Sequence, residues 1–457
     1  MATVLEKIAT HVVSRTLFST LAMTRAQQAV VDTIGCMVAG ASDQAPRSVA
    51  AAFSSEIGPT GASGVFTGGR ASLSVAALIN GTAAHCLDFD DNFHPARAHA
   101  SAVLVPALLA IASAEGSISG GQFIRAYLAG LEAQAAVGFG VNPSHYNRGW
   151  HGTSTVGCIG AAAGVAVLLG LNEERVAQAM SIATSLAAGP KGQFGTAAKP
   201  LHAGMAARNA VEAAHLSHAG ITGRSDILER RQGFLDLFGG VGSTGWDGLS
   251  WGENHIIETR GLVTKLHPCC ASSHRVIDAA RDLQNEHGFS LDEVQRIETK
   301  VGQSAVDNLA YPDPADEMQA RFSMQYCLAA ALLQGRLSLA DFTRDAIFRP
   351  AIRRHMPKIS VSAYSAEEER GIERIAHQVT VTLLDGRRLW NERLHARGAI
   401  AVPVTDAERH SKFSDCMRWA GLEDDRLYST WENIGDVDSV RSALRTFDQP
   451  YSNVTRP

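Results

Sequence analysis

The sequence predicts a mainly α-helical protein, in which a large all-helical domain carries a smaller α+β domain as an insertion. In about the first 260 residues, apolar side chains recur at helical spacing, and no segment alternates convincingly between apolar and polar residues. Because alternation with a period of two begins only later, we expect an all-helical domain formed by 1–265 plus 396–457 and an α+β domain at 266–395. The alternating segments are 294–301, 358–363 and 378–384.

The helical pattern can be followed from the N-terminus. Thr24 and Gln27 form a capping box in front of an apolar run that ends at Gly40, and a glycine-rich loop follows at 58–71. The run at 154–170 is apolar on every face, which is typical of a helix in the centre of a bundle. The other predicted helices are 72–87, 102–115, 121–137, one that begins after Asn172, 203–218, 273–287, 322–334, 405–420 and 436–446.

Length and composition narrow the class of protein. A chain of 457 residues with 45% hydrophobic and 19% charged residues is long enough for two globular domains. The net charge of −5, without a long basic run, predicts no nucleic-acid partner. The 7 cysteines lack paired spacing, which favours reduced thiols and a cytoplasmic location. The longest apolar run, 156–169, is too short to cross a membrane, and Glu6 argues against a secretory signal.

Titratable side chains interrupt apolar surroundings in four segments. Each segment joins or precedes a buried helix of small residues, and this repeated placement favours one shared pocket for a ligand with two or three carboxylates. Taken singly, each group has a simpler explanation as a helix-capping carboxylate, a core histidine or a solvated lysine. The four segments contribute Asp88, Asp90, Asp91, His94, Arg97 and His99; Tyr146, Arg148 and His151; Lys199 and His202; and Lys265, His267, Cys269, Cys270 and His274.

Three other motifs give no support for a nucleotide cofactor, a metal or a serine nucleophile. Gly240, Gly242 and Gly245 spell G-x-G-x-x-G, but no strand precedes them. The segment from His267 to His274 lacks the ligand pairs of a structural zinc site. No G-x-S-x-G elbow occurs in the sequence. We therefore expect neither a metal nor a cofactor.

Five stretches, in order, resemble the MmgE/PrpD family: NGTAAHCLDFDDNFHP, GWHGTSTVG, AAKPLHAG, KLHPCCASSH and RFSMQYCLAAALLQG. The resemblance extends over about residues 5–450 and implies an all-helical large domain, an α+β lid domain, a homodimer and no cofactor. Activities known in the family include 2-methylcitrate dehydratase, cis-aconitate decarboxylase and iminodisuccinate epimerase. The pocket that the resemblance implies between the domains is formed by Asp88, His99, His151, Lys199, Lys265 and Tyr326.

Two positions depart from the better-known members of the family. Arg97 adds a cation to the loop after Asp91, and Cys270 stands where the decarboxylases have a histidine, which disfavours decarboxylation. We therefore predict a hydro-lyase of the 2-methylcitrate or citrate type, with an epimerase of an iminodisuccinate-type substrate as the alternative. A cis-aconitate-type decarboxylase and a non-catalytic helical binding dimer are less favoured.

The predicted roles follow from one chemical need, because all of these reactions change a bond next to a carboxylate. Lys199, Lys265 and Arg97 would neutralise substrate carboxylates. His99 and His151 would serve as base and acid, since imidazole titrates near neutrality, and Asp88 would orient one of the two histidines. The residues predicted to contact the substrate are Arg97, Tyr146, His202, Cys270, His274 and Tyr326.

Overall fold

The computed structural model describes residues 2–59, 61, 63–64, 66, 69–240, 242–372, 374–422 and 426–445. Residues 446–457, the end of the predicted all-helical domain, lie outside these ranges. Within them the protein is mainly α-helical, as predicted, with one four-stranded sheet and one two-stranded ribbon. None of the described helices is both long enough and apolar enough to cross a membrane.

The first part of the chain is built almost entirely from helices. These are α1 (Val4–Ser14), α2 (Thr20–Gly40), α3 (Gln44–Ala52), α4 (Leu73–His85), α5 (Ser101–Ala114), α6 (Gly120–Val141), α7 (Ser144–Asn147), α8 (Val156–Leu168), α9 (Glu173–Leu186), α10 (Ala198–His218) and α11 (Ile256–Thr259). Polar side chains cap several of them: Ser119 and Gln122 form a capping box at α6. The predicted cap of α9 is confirmed, because Asn172 accepts a hydrogen bond from the backbone N–H of Arg175 at 3.0 Å.

The predicted end of α2 is correct, but its predicted start is not. The predicted capping box at Thr24 is wrong, because the helix begins one turn earlier, where Ser19 accepts the backbone N–H of Ala22 at 3.0 Å. The predicted end at Gly40 is confirmed, but packing contributes to it. A Cβ at Gly40 would lie 2.0 Å from the backbone oxygen of Ala83 in α4, so only glycine allows this approach.

The strands lie mainly in the second part of the chain, where the sequence alternates. They are β1 (Ser63–Gly64), β2 (Arg70–Ala71), β3 (Val294–Val301), β4 (Ile359–Ala363), β5 (His377–Leu383) and β6 (Arg388–Arg393). The sheet order is β4-β3-β5-β6, with β3 parallel to β4 and the other pairs antiparallel. Its edge strand β6 escaped prediction because polar residues occupy both of its faces. The remaining helices are α12 (Ala271–His287), α13 (Gln303–Asn308), α14 (Glu317–Ala320), α15 (Met324–Gln334), α16 (Arg344–Ile347), α17 (Pro350–Arg353), α18 (Ala366–Glu369), α19 (Asp406–Trp419), α20 (Arg426–Glu432) and α21 (Val440–Leu444).

Apolar side chains form two large clusters. One fills the space between the N-terminal helices, with α8 buried in its centre as predicted, and the other lies between the sheet and helices α12 and α15. The tail helices α19 and α20 pack on α2, and α21 packs on α5, so Phe413 and Trp431 join the first cluster. The exact domain boundaries stay a prediction.

Helices α4 and α10 cross at glycines, and this crossing brings functional side chains together. A Cβ on Gly204 of α10 would lie 2.3 Å from the backbone oxygen of Leu78, and a Cβ on Gly81 of α4 would lie 2.9 Å from the Cα of Gly204. The two backbones are therefore closer than alanine would allow. Since α10 carries Lys199 in its first turn and α4 ends at His85, these two residues become neighbours.

Candidate active site

The chain turns sharply after α4, and the turn buries three carboxylates below the helix end. Asp88 adopts a left-handed backbone conformation with φ of 50°, and its N–H donates to the carbonyl of His85 at 3.2 Å. Asp88, Asp90 and Asp91 are all buried. Aspartate is one of the few non-glycine residues that tolerate this conformation, and such a conformation persists where surrounding contacts hold it.

Two lysines from distant parts of the chain meet at Asp88. The Lys199 ammonium donates to Asp88 Oδ1 at 2.6 Å. The fully buried Lys265 donates to the Asp88 carbonyl at 2.8 Å and lies 3.2 Å from Oδ1. Burial alone would raise the pKa of Asp88, but the two ammonium groups hold it well below its usual range. Asp88 therefore stays ionised as the counterion of both lysines.

A second carboxylate, Asp90, lies close to two imidazoles. His85 Nδ1 lies 2.9 Å from Asp90 Oδ2, and His85 Nε2 accepts a hydrogen bond from Lys199 at 3.0 Å, which assigns the ring proton to Nδ1. His99 Nδ1 lies 3.0 Å from the same Asp90 oxygen, although the ring is not aligned for a straight hydrogen bond. The centroids of the two rings are 4.3 Å apart.

His85 has no predicted role above, and Asp90 appears there only as a member of the cluster. The sequence does contain a signal for His85. His85 precedes Asp88 by about one helical turn in the run HCLDFDD, so the two side chains can reach one site. The alanines around His85 made its helix resemble an ordinary helix of the apolar core. The polar partner of His85 is Lys199, 114 residues later in the chain, and so distant a partner leaves no local pattern in the sequence.

His151 lies just before α8, facing the same cavity. Its Nδ1 is 3.2 Å from Nδ1 of His202, and its buried Nε2 has no hydrogen-bond partner within the described part of the chain. The His151 ring stacks against that of His85 at 5.7 Å between centroids. An unengaged ring nitrogen in a cavity is available to a substrate.

The imidazoles of this cluster are uncharged at neutral pH before any substrate binds. Burial lowers the pKa of His85 and lowers that of His99 to about 3. Burial and the nearby Lys199 ammonium hold the pKa of His151 well below its usual value. The cluster thus combines two lysine ammonium groups with neutral rings that can accept protons.

A cavity of about 1220 Å³ opens beside this cluster and gathers most of the predicted residues. The predicted residues that line it are Asp88, Arg97, His99, Tyr146, His151, Lys199, Cys270 and His274. Lys265 is absent from the lining because it lies behind Asp88. The Tyr146 hydroxyl accepts a hydrogen bond from the Asn308 amide at 3.1 Å, and His274 Nε2 lies 3.0 Å from the Cys269 carbonyl.

Three predicted roles need correction. Tyr326 does not line the cavity, because it is fully buried in the second apolar cluster, where its hydroxyl donates to the Asp341 carbonyl. His202 also lies outside the lining and contacts His151 instead. Asp88 is not the residue that orients a histidine: its Oδ1 is 3.9 Å from His99 Nε2, and its close partners are the two lysines.

The predicted absence of a metal site was based only on the segment from His267 to His274. Four other ligand atoms lie within 4.8 Å of one another, on His85, Asp88, Asp90 and His99. The donor set fits a cation poorly, since Lys199 already occupies both Asp88 Oδ1 and His85 Nε2. Two ammonium groups beside these ligands would repel a divalent cation.

Comparison with known proteins identifies two matching family models. The MmgE/PrpD N-terminal domain matches residues 6–246, and the MmgE/PrpD C-terminal domain matches residues 267–428. Human cis-aconitate decarboxylase is 29% identical over 387 residues, which cover 81% of this chain and 78% of the relative. Cis-aconitate decarboxylase of Aspergillus terreus is 26% identical over 436 residues, covering 86% and 88%. The cis-aconitate decarboxylase-like protein oryM of Aspergillus oryzae is 26% identical over 415 residues, covering 85% of each chain.

These relatives overturn the predicted reaction class. By name they are decarboxylases, whereas a hydro-lyase was expected here with an epimerase as the alternative. The expectation was wrong because it gave weight to one position, Cys270. The charged groups around Asp88 suit any reaction that develops negative charge next to a carboxylate, so they do not distinguish the three activities.

Proposed function

Because the chain belongs to the MmgE/PrpD family, we propose that it is a carboxy-lyase that releases carbon dioxide from a small unsaturated polycarboxylate of the cis-aconitate type. The observation that carries the proposal is the buried Asp88 with its two lysines, set against the imidazoles of His99 and His151 in one cavity. The named decarboxylases that match most of the chain support the choice of reaction.

In the proposed reaction, the bond that breaks joins a carboxylate carbon to a methylene carbon beside the double bond of the substrate. Its electron pair forms a new double bond to the central carbon, and the displaced π pair moves to the outer carbon, which carries another carboxylate. The negative charge is shared with that carboxylate until a proton adds to the carbon. Lys199, in the cavity wall, would stabilise this charge in a site of low dielectric constant.

We assign delivery of the proton to His151, whose Nε2 is buried and unengaged among the described residues. The ring is neutral before substrate binds, since its pKa is held well below the usual value by burial and then by Lys199. Carboxylates of a bound substrate would raise that pKa, so substrate and proton are expected to bind together. His202, which contacts His151 Nδ1, would hold the ring in place.

Cys270 takes no part in proton transfer in this proposal. Burial, followed by the negative charge of Asp88, raises the pKa of its thiol. The thiol therefore stays neutral near pH 7 and cannot carry a positive charge as an imidazole can. The absence of a histidine at this position implies that one carboxylate of the substrate is bound by other groups.

The proposal also includes the domain arrangement, the oligomeric state and the location of the protein. Both parts of the chain contribute to the cavity wall, Asp88 and His151 from the helical part and Cys270 from the start of the second part. We propose that 266–395 acts as a lid domain inserted into the helical domain. A homodimer without a cofactor follows from family resemblance alone, and the cytoplasmic location follows from the unpaired spacing of the 7 cysteines.

A test of the reaction uses the purified protein in deuterium oxide with cis-aconitate, citrate and 2-methylcitrate supplied separately. Proton NMR and trapping of carbon dioxide follow the products. We expect carbon dioxide from cis-aconitate or a close analogue, with one deuterium in the product carbon that was protonated. Loss or addition of water without carbon dioxide, or no carbon dioxide from any of the three, overturns the proposal.

A matched pair of lysine variants tests the role of the site. Lys199→Met should lower turnover by at least about 100-fold, because it removes a charge that stabilises the transition state. Lys300→Met is the control, since Lys300 forms an exposed ion pair with Glu368 outside the cavity, and it should react as the unmodified protein does. Equal turnover of both variants would exclude Lys199 from the reaction.

A further inference from the structure

A second group of cations lines the same cavity, distinct from the lysines at Asp88. Arg97 lies in the loop between α4 and α5, Arg275 on α12, and Arg374 in the segment before β5. Arg374 Nη1 lies 3.4 Å from Nε2 of His94, which also lines the cavity. Three guanidinium groups from three parts of the chain therefore share one wall.

Two of these arginines have no carboxylate within ion-pair distance among the described residues. Arg275 donates to neutral acceptors only, the Ile375 carbonyl and His377 Nε2, each at 2.6 Å. The Arg97 guanidinium lies over the Tyr146 ring at 5.7 Å from its centroid. A partly buried charge without a counterion is unfavourable, so a site of this kind favours an anion from outside.

One carboxylate of the cavity wall, Glu369, already accepts a hydrogen bond from the backbone. Glu369 lines the cavity, but its Oε1 accepts the backbone N–H of Gln303 at 2.8 Å. Burial and the positive charge of Arg374 lower the pKa of Arg275 to about 10. Like charges thus lie close enough to repel one another, and an oxyanion between them would relieve the repulsion.

The backbone around Arg97 is held in an uncommon conformation. Arg97 has φ of 46°, in the left-handed region that long side chains rarely adopt. Its N–H donates to the His94 carbonyl at 3.0 Å, and a Cβ on Gly152 would lie 2.4 Å from the Arg97 carbonyl oxygen. Close packing therefore holds the loop in this conformation. Backbone strain of this kind is common at sites that clamp a ligand.

We propose that Arg97 and Arg275, with Arg374 beside them, form a second anion subsite that binds a carboxylate or phosphate group of the ligand away from its reacting end. Guanidinium groups bind such oxyanions through paired hydrogen bonds. The cavity, at about 1220 Å³, exceeds the roughly 300–1,000 Å³ of pockets that hold drug-sized ligands, so one ligand has room to reach both groups of cations.

The subsite narrows the substrate class to an acid with a further anionic group, at the far end from the bond that breaks. This substrate class rests on the proposed function, whereas the subsite itself does not. The subsite would also supply a carboxylate contact that the thiol of Cys270 cannot make, because a guanidinium group binds a carboxylate through charge-assisted hydrogen bonds.

The first experiment is calorimetric titration of the full chain with inorganic phosphate. Arg97→Met and Arg275→Met should each weaken binding at least about tenfold, the scale of a lost charge-assisted hydrogen bond. Lys199→Met should retain phosphate binding, and so should the control Arg296→Met, because Arg296 pairs with Glu298 on the exposed face of β3. Unchanged binding by Arg275→Met, or its loss in Lys199→Met alone, overturns the subsite.

The second experiment distinguishes a carboxylate from a phosphate as the natural group. Straight-chain dicarboxylates from succinate to suberate are titrated into the same proteins. For a distal carboxylate, a longer member binds at least about tenfold more tightly than succinate, and Arg275→Met removes this gain. A flat series with phosphate binding retained assigns the subsite to phosphate, and a flat series without phosphate binding overturns it.

These measurements remain decisive if the proposed reaction fails. Neither titration requires turnover, so a protein that releases no carbon dioxide can still bind phosphate through Arg97 and Arg275. Arg275→Met also leaves the strained Arg97 loop unchanged, which protects the test against a folding defect in Arg97→Met. Circular dichroism of each variant verifies the fold.

Discussion

Three neighbouring aspartates have three different environments, although they lie within four residues of one turn. Asp88 pairs with ammonium groups, Asp90 with imidazoles, and Asp91 with the hydroxyl and backbone N–H of Ser101. The pKa values of Asp88 and Asp90 lie well below the usual range despite burial, because cations or imidazoles face them. Burial raises the pKa of Asp91 to about 7. The three carboxyl groups therefore differ both in their partners and in the direction in which their pKa values are shifted.

Asp90 is a positioning residue, and Asp90→Asn tests this at the level of one atom. The amide lacks the negative charge that faces His85 and His99, so both rings lose the carboxylate that holds their orientation. We expect turnover to fall by about 100-fold or more with the Michaelis constant changed little, together with an altered pH profile. Steady-state kinetics across pH check this, with the wild-type protein as the reference. A proportional loss of folded protein, without a change in the pH profile of what remains, would reduce Asp90 to a structural role.

Asp91→Asn should change how stability depends on pH. The folded pKa of Asp91 is raised to about 7 by burial, so between about pH 4 and 7 the folded protein keeps a proton that the unfolded chain has released. This group therefore makes the free energy of unfolding fall as pH rises, by about 1.4 kcal/mol per unit at most. Denaturant unfolding of both proteins at several pH values should show that the difference in the free energy of unfolding, wild type minus Asp91→Asn, falls as pH rises across this range, because all other titrating groups are shared. Parallel pH profiles would contradict the assignment.

The Asn substitution preserves the local hydrogen bonds, which makes the comparison clean. Ser101 contacts Asp91 through its hydroxyl and its backbone N–H, and the Ser101 hydroxyl lies 2.7 Å from that of Tyr127. An amide group can donate to the Ser101 hydroxyl where a protonated carboxyl would. The two proteins should therefore have similar stability near pH 4.

At the level of elements, the crossing of α4 and α10 sets the distance between Lys199 and its partners. Gly204→Ala would place a methyl group 2.3 Å from the Leu78 carbonyl and from Thr82 Oγ1. The helices must separate, so we expect a loss of about 1–3 kcal/mol in the free energy of unfolding and a lower turnover, because Lys199 moves with α10. Chemical denaturation and kinetics measure both effects.

Gly192→Ala is the matched control for this substitution. A Cβ at Gly192 meets no atom within 4 Å, so the change should alter stability by no more than about 0.5 kcal/mol. If Gly204→Ala proves equally silent, the helices can separate without cost and the crossing does not position the site.

At the level of the whole molecule, the tail of the chain supports the turn that carries the aspartates. Lys412 on α19 donates to the Phe89 carbonyl at 2.8 Å and to Asp32 Oδ2 on α2 at 2.9 Å. Lys412→Met would leave Asp32 buried without its hydrogen-bonded cation, at a cost of about 3–5 kcal/mol in the free energy of unfolding. Thermal and denaturant unfolding measure the loss.

A double variant separates the buried charge from the rest of this contact. Asp32→Asn combined with Lys412→Met removes both charges and should recover part of the lost stability. Turnover should stay below that of the wild type in the double variant, since the Phe89 carbonyl still lacks its donor. Full recovery of both properties would mean that the tail does not support the turn.

Local sequence patterns accounted for much of the fold and for part of the site. Helical periodicity, the Asn172 cap and the three alternating segments depend on neighbours along the chain, so α8, α9 and strands β3 to β5 could be predicted. The motifs that resemble the MmgE/PrpD family also selected Asp88, Lys199 and Lys265 as residues of one pocket, although the contacts among them required coordinates.

The sequence by itself therefore determined the helical class, the family and the main charged residues of this protein. The tertiary structure decided that Asp90 rather than Asp88 lies close to two imidazoles, that Tyr326 belongs to the core, and that Arg275 joins Arg97 in the cavity wall. The physical reason is distance along the chain. Secondary structure follows from contacts within a few residues, whereas the charge and orientation of a buried group depend on partners that only folding brings within hydrogen-bond reach.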